Sequence, residues 1–353
     1  MTLSADFGTL GLLERENAAI INAALGGAAQ ELLASFERAC AALSLETPVF
    51  LTQNDGTLMD SARARRFPVL TFASGPTNSM RGAMLLADEP DAIVVDIGGT
   101  TSDIGVLVSG YPRQASGAVD SGGVRTSFRM PDLISLGIGG GSLVMPGEPV
   151  KVGPRSVGYE LTRLARCFGG DVLTATDVAV ALGRTGIGDA ARLVALDPRL
   201  VDAADARIHA DIEDGIDRMK TMRGEVPVVL VGGGAMLVRR PLRGASHTVT
   251  PPHAGVANAV GAAAAQVGAE IDRVVTIRPG QRDAVLQALK TATITAACEA
   301  GALACTVQVL HVDEFPIPYA AEGMRRVRMK ALGDLDPRHA RLRTASVREG
   351  AGP

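Results

Sequence analysis

One segment constrains this chain more than any other. The strand-like run Ala92-Ile-Val-Val-Asp-Ile97 breaks into Gly98-Gly99-Thr100-Thr101, and a second run then extends from Ser102 to Val108. Two runs rich in β-branched and apolar residues, joined by so short a glycine turn, read as a β-hairpin. The first run shows no polar alternation before Asp96. It therefore reads as a strand buried on both faces, which needs helices packed on either side. Two further strand-to-glycine junctions follow. Leu133 to Ile138 runs into Gly139-Gly140-Gly141-Ser142, and Val226 to Val231 runs into Gly232-Gly233-Gly234.

These junctions share exposed backbone. Glycine allows a tight turn and lets an anion approach main-chain N–H groups with no Cβ in the way. At the hairpin, Asp96 and Asp103 flank the turn, and Thr100 and Thr101 add hydroxyls. Carboxylates beside phosphate-facing amides require a cation. Mg²⁺ suits such a set, because it takes few carboxylates, keeps waters and shares phosphate oxygens. The plainer reading is that Gly-Gly only makes a turn. Two Asp and two Thr around it favour the functional one, whereas the two Gly-Gly-Gly runs could be helix–sheet contacts.

Other chemistries find no support. No Lys follows a Gly, so there is no P-loop, and Gly137-Ile-Gly139-Gly-Gly-Ser142 ends in Ser where a dinucleotide fingerprint needs Gly. There is no H-E-x-x-H and no G-x-S-x-G. His209, His247, His253, His311 and His339 are scattered and read as surface or loop residues. Cys40, Cys167, Cys298 and Cys305 form no C-x-x-C pair and read as reduced core thiols. With 35 basic and 38 acidic residues the net charge is −3, which gives no field for steering onto nucleic acid. Aromatic residues are 3 % and Trp is absent, so a base-stacking platform is not expected. The start of the chain lacks a basic-then-apolar signal pattern, and the low-charge stretch 254–269 is too weakly apolar to span a bilayer. A cytoplasmic protein without membrane contact is expected.

The remaining pattern is that of an α/β protein. Helices are expected over 12–43, 80–87, 201–223, 255–268 and 282–300. Strands are expected over 48–52, 69–73 and 307–312, with a last strand from Met324 leading into a basic, frayed end. A long hairpin connection is expected near 110–125.

The motifs also occur in a telling order. Gly11-Leu-Leu-Glu-Arg-Glu-Asn17, Thr52-Gln-Asn-Asp-Gly56 and Ser74-Gly-Pro-Thr-Asn-Ser-Met-Arg-Gly82 precede the hairpin Asp96-Ile-Gly-Gly-Thr-Thr-Ser-Asp103. Asp132-Leu-Ile-Ser-Leu-Gly-Ile-Gly-Gly-Gly-Ser142 and Val228-Val-Leu-Val-Gly-Gly-Gly234 follow it. This series, covering about 4–335, resembles the A subunit of the ATP-dependent hydantoinase/oxoprolinase family. The hairpin itself resembles that of the wider actin, heat-shock-70 and sugar-kinase superfamily.

The resemblance implies an actin/sugar-kinase-like (ribonuclease H-like) ATPase fold. It implies ATP and Mg²⁺ as cofactors, and phosphorylation of the oxygen of a cyclic amide or ketone substrate. A hydantoinase B-type subunit would complete the reaction. Gly98, Gly99, Thr100 and Thr101 would hold terminal phosphate oxygens. Asp96 would orient a Mg²⁺-bound water, and Asp103 would do likewise or fix the turn. Asp96, Asp103 and Thr100 thus stand as the catalytic candidates. Gly232, Gly233 and Gly234 would lie near the nucleoside. Gly139, Gly140 and Gly141 would sit near the phosphates or wall the cleft, and Ser74 to Pro76 would shape it. The implied organisation is a remainder of a first half over 1–90, an ATPase core over 91–270, a smaller α/β segment over 271–335 and a disordered tail over 336–353.

One departure matters. Family A subunits carry two D-x-G-G-T hairpins, and this chain carries one, at Asp96. Residues 2–11 resemble an internal family segment. The chain therefore reads as a C-terminal portion, weak or inactive alone. An assembly module that needs a partner chain, a sugar- or acetate-type kinase, and an inactive remnant are the alternatives.

Overall fold

The computed structural model describes residues 2–4, 11–45, 47–115, 119–121, 123–126, 130–317 and 319–338. In chain order the helices are α1 (Leu12–Ala42), α2 (Ser61–Arg66), α3 (Ser74–Ala87), α4 (Leu161–Leu164), α5 (Ala175–Ala181), α6 (Pro198–Met219), α7 (Ala257–Ala263) and α8 (Arg282–Glu299). The strands begin with β1 (Phe50–Thr52), β2 (Thr57–Asp60), β3 (Ile93–Ile97), β4 (Ser102–Val108), β5 (Tyr111–Pro112), β6 (Val119–Ser121), β7 (Val124–Thr126) and β8 (Leu133–Leu136). They continue with β9 (Ser142–Met145), β10 (Lys151–Ser156), β11 (Val226–Val231), β12 (Ala245–Val249), β13 (Gln266–Thr276), β14 (Gln308–Pro316) and β15 (Met324–Gly333). The chain forms two units, each assembled from separated stretches. The first takes 1–74, 116–130 and 265–353; the second takes 75–115 and 131–264.

The second unit is built on the sheet β12-β11-β3-β4-β5, with β8 also paired to β4. β11 runs parallel to β3 and β12, whereas β4 is antiparallel to β3 and β8. Alternation along the strands sorts residues onto two buried faces. Ile93, Val95 and Ile97 of β3 join Val228 and Leu230 of β11 and Ile104 of β4 beneath Ile208, Ile212 and Ile216 of α6. Val94, Val229, Val231 and Leu107 lie on the other face, against Met80 and Ala83 of α3 and Ala257 of α7. The α3–α7 crossing depends on glycine. A Cβ on Gly82 would strike the Ala257 carbonyl, and one on Gly261 would strike the Asn78 carbonyl. Asp197 caps α6 by accepting from Arg199 N at 2.9 Å, with Pro198 in the first helical turn.

The first unit carries the sheet β1-β2-β13-β15-β14, in which β13 and β15 pair antiparallel from Val267↔Gly333 to Thr276↔Met324. Leu289 of α8 packs on Val327 and Met329 of β15. Lys330, 6 % exposed, is held by the Asp55 carboxylate at 2.9 Å. α1 rests on Phe67 and Val69 through Ala18, and on Met59 and Ala64 through Leu33. Among the described residues, α1 is one helix long and apolar enough to cross a membrane by length and composition.

Four expectations are corrected. Residues 68–71 form a 3₁₀ helix rather than a strand over 69–73; Pro68 opens it, and the Thr71 hydroxyl donates back to the Pro68 carbonyl at 2.8 Å. Residues 255–268 are not one helix. α7 ends at Ala263, and Gln266 already belongs to β13, where pairing with β2 and β15 outweighs the helical period. His209 is fully buried on α6, because its Nδ1 is satisfied by the Asp205 carbonyl at 2.9 Å. Of the cysteines only Cys167 is buried; Cys305 is exposed. Residues 339–353, and with them His339 and most of the expected tail, lie outside the described residues.

Candidate functional site

All three glycine junctions belong to the second unit, and the sheet brings them to the end of β3. Register places Val231 of β11, Asp96 of β3, Asp103 of β4 and Ser135 of β8 in one row across four strands. Asp96 has the same parity as Val94, so it lies on the α3 face. There Ser79 of α3, 2 % exposed, hydrogen-bonds its carboxyl. Asp103 is hydrogen-bonded by the Ser135 hydroxyl.

Burial pushes the Asp96 carboxyl above the usual carboxylate range, with the Ser79 hydrogen bond opposing. Burial likewise pushes Asp103 up; the Ser135 hydrogen bond opposes this, and the charge on Asp96 adds to it. Among the described residues neither carboxylate has an ion-pair partner. Two facing, half-buried carboxylates without a protein counter-charge have the chemistry to receive a cation.

The turn is oriented by its carbonyls. Gly98 O accepts from Gly140 N at 2.9 Å, and Gly99 O accepts from Gly141 N at 2.7 Å. A trans peptide points its N–H opposite its C=O. The N–H groups of Gly99 and Thr100 therefore face away from residues 139–141, and Gly99, Thr100 and Thr101 are exposed. Among the described residues, no hydrogen bond engages the N–H groups of Gly99 and Thr100 or the hydroxyls of Thr100 and Thr101. Such a pair of forward-facing amides flanked by hydroxyls is an anion seat. The Gly98 amide is already used, donating to Thr101 O at 2.8 Å.

The other glycines stand differently. Gly139, Gly140 and Gly141 are buried, and all three amides are donated internally, that of Gly139 to the Ser142 hydroxyl at 2.9 Å. A Cβ on Gly139 would stand 2.7 Å from the Gly98 carbonyl oxygen and Thr100 N. Gly232, at φ 85°, and Gly234 pack on the foot of β3; Gly234 N donates to Ile97 O at 2.8 Å. Gly233 is exposed with open space at its Cβ position. The structure thus brings Asp96, Asp103, Gly98–Thr101, Gly139–Gly141 and Gly232–Gly234 together. It adds Ser79 and Ser135, which the sequence reading did not single out. Both lie within motif segments, Ser79 in 74–82 and Ser135 in 132–142, and strand register sets Ser135 beside Asp103.

Both carboxylates are hard oxygen donors, and the adjacent amides suit phosphate, which matches a cation shared with a nucleotide. Among the described residues, no group of three or more His, Cys, Asp or Glu side chains could hold a metal unaided.

The model of the hydantoinase/oxoprolinase family matches residues 15–189, a span that contains the hairpin, Ser79, Ser135 and Gly139–Gly141. Over that span the chain is similar to this family. A solved structure of acetone carboxylase, described for ATP-dependent acetone carboxylation, superposes with a TM-score of 0.66 at 19 % identity. That match covers 94 % of this chain and 59 % of the other. The ATP-dependent caprolactamase of Pseudomonas jessenii superposes with a TM-score of 0.69 at 17 % identity, covering 95 % and 60 %. These likenesses support the α/β, actin/sugar-kinase-like fold expected from the resemblance. A curated relative, an uncharacterized protein of Methanocaldococcus jannaschii, is 25 % identical over 225 residues. The match takes 58 % of this chain and 33 % of that protein. The chain therefore spans about a third of that relative and about three-fifths of the two solved chains.

Proposed function

We propose that the second unit seats the terminal phosphates of ATP on the 98–101 turn, and that the chain is a component of an ATP-dependent cyclic-amide hydrolase. The observation that carries this reading is the pair Asp96 and Asp103, facing each other beside free amides with no protein counter-charge. Similarity to the family and two ATP-dependent structural neighbours support it.

In this reading the amides of Gly99 and Thr100, with the hydroxyls of Thr100 and Thr101, bind γ-phosphate oxygens. Asp96, oriented by Ser79, and Asp103, oriented by Ser135, would hold Mg²⁺. Bound there, Mg²⁺ supplies positive charge against the phosphates. Gly139–Gly141 act behind the turn, fixing its carbonyls so that its amides stay forward. Gly233 is the member of its run open to a nucleoside. The substrate class is a cyclic amide or a ketone. For a cyclic amide, transfer of the γ-phosphoryl group of ATP to the substrate oxygen, with ADP leaving, turns that oxygen into a good leaving group for the hydrolysis that follows, and the protein's part is positioning and charge neutralisation. A B-type subunit and a cytoplasmic location belong to the same proposal. The single D-x-G-G-T hairpin favours a second reading, an assembly module that needs a partner chain.

Asp96→Ala tests the site. Calorimetric titration with ATP and Mg²⁺ is expected to show affinity lost by about 10–100-fold, with an unchanged circular dichroism spectrum. Thr100→Val should weaken binding less. Unchanged affinity in Asp96→Ala removes the assignment.

A further inference from the structure

Each forward-facing amide of the 98–101 turn ends a relay of hydrogen-bonded peptides. In a trans peptide the C=O of one residue and the N–H of the next share one rigid plane and point in opposite directions. The plane that carries the Thr100 N–H therefore carries Gly99 O, which accepts from Gly141 N at 2.7 Å. The plane that carries the Gly141 N–H carries Gly140 O. That oxygen accepts twice from Thr176, from its N at 2.9 Å and from its Oγ1 at 2.8 Å. The Gly99 amide ends a parallel relay. Gly98 O accepts from Gly140 N at 2.9 Å, and Gly139 O, on the plane of that amide, accepts from Ser142 N at 3.0 Å. The two relays have no peptide in common, and Thr176 heads that of Thr100.

Local sequence fixes the head of this relay. Thr174 and Asp177 form a capping box at the start of α5, and Asp177 also accepts from Cys167 N at 2.7 Å. Thr176, in the first turn of that helix, is fully buried, and its hydroxyl leaves the helix for a carbonyl 36 residues earlier. A Cβ on Gly140 would stand 3.0 Å from Thr176 Oγ1, so glycine permits the approach. Gly140 O is already satisfied by Thr176 N, and the hydroxyl is therefore not needed to fill an orphaned acceptor. Its effect lies further along. Hydrogen bonds in series polarise one another, strengthening each by about 10–30 %. We propose that Thr176 is a positioning residue for the phosphate seat, its hydroxyl aiming and polarising the Thr100 amide through the 140–141 peptide. Thr176 itself touches no ligand, and the proposal rests on the nucleotide reading above. Ser156 Oγ, at 3.4 Å from Gly99 O, is a second and weaker donor to the same relay.

Thr176→Ala and Thr176→Ser both lose the γ-methyl group and differ only by the hydroxyl, so comparing them isolates it. Gly140 O keeps the backbone amide at position 176 in both, and both are expected to retain the circular dichroism of the parent. Calorimetric titration of the full chain with ATP and Mg²⁺ should leave T176S within about twofold of the parent and weaken T176A by about 3–10-fold. Amide resonances of the unliganded, isotope-labelled chain supply a readout that loss of packing alone would not move selectively. In T176A the Thr100 signal should shift upfield while the Gly99 signal stays in place, and T176S should restore it. S156A, altered at a half-buried position, should shift the Thr100 signal in the same sense and by less. Equal affinities of T176A and T176S, or Thr100 and Gly99 signals that move together, overturn the relay and leave the nucleotide reading standing. A parent chain that binds no ATP·Mg²⁺ overturns both. Should T176A fail to fold, S156A decides, and a Thr100 signal unmoved in that variant overturns the proposal.

Discussion

His209 is fully buried on α6, with Nδ1 on the Asp205 carbonyl and Nε2 unpartnered. Burial lowers its pKa below 6.5; the Asp205 carbonyl and carboxylate oppose this, while Arg240 and Arg184 add to it. The unfolded chain therefore binds a proton that the folded chain refuses. Stability is complete above pH 6.5 and falls as pH drops towards the lowered folded pKa. The melting temperature is expected to be lower at pH 5.5 than at pH 7.5, and His209→Leu should flatten that difference, as scanning calorimetry would show. This histidine also marks what one sequence conceals at the residue scale. Asp96 was legible as a candidate because the residues that make it one stand beside it, in Gly98 to Thr101. The burial of His209 and the hydroxyl that Ser79 presents to Asp96 depend on a helix meeting something remote in the chain.

At the scale of elements, the glycine runs divide by what surrounds them. Gly139 lies against rigid backbone of the turn, so Gly139→Ala must displace the chain there. It is expected to destabilise by about 1–3 kcal/mol and to weaken nucleotide binding by tilting the forward amides. Gly233 meets open space, and Gly233→Ala should stay within about 0.5 kcal/mol of the parent. Urea denaturation of both variants checks the pair; equal effects would show that residues 139–141 do not brace the turn. The hairpin was readable because β3 and β4 are adjacent in sequence and joined by a turn whose residues announce it. Residues 69–73 misled because Val69, Leu70 and Phe72 have strand-like composition, while Pro68 and the Thr71 back-bond form a 3₁₀ turn under α1. Gln266 was misread for the opposite reason. The Ala/Gly run before it is helical in period, and Gln266 is drawn into a strand by Thr57 of β2, far earlier in the chain, while β15, more than fifty residues later, pairs the rest of β13.

For the whole molecule, the single D-x-G-G-T hairpin bears on activity, because the family resemblance implies two. ATP hydrolysis by this chain alone is expected to be slower by about 100-fold or more than with a polypeptide that supplies a second such hairpin and with a B-type subunit, since a missing oxyanion donor costs at least that much. A phosphate-release assay on the chain alone and on the mixture measures it; full turnover by the chain alone would show the clamp to be complete. The order of motifs along the chain was enough to indicate the family, the α/β class, the hairpin and the acidic pair, because each rests on residues that are neighbours in sequence. Sequence order could not reveal that 116–130 leaves the second unit or that 265–338 returns to the first. Nor could it reveal that Gly140 and Gly141 give their amides to the carbonyls of the turn. Those outcomes are decided by which surfaces can be buried together and by which polar groups find partners on burial. Only the folded chain brings the groups concerned within reach of one another.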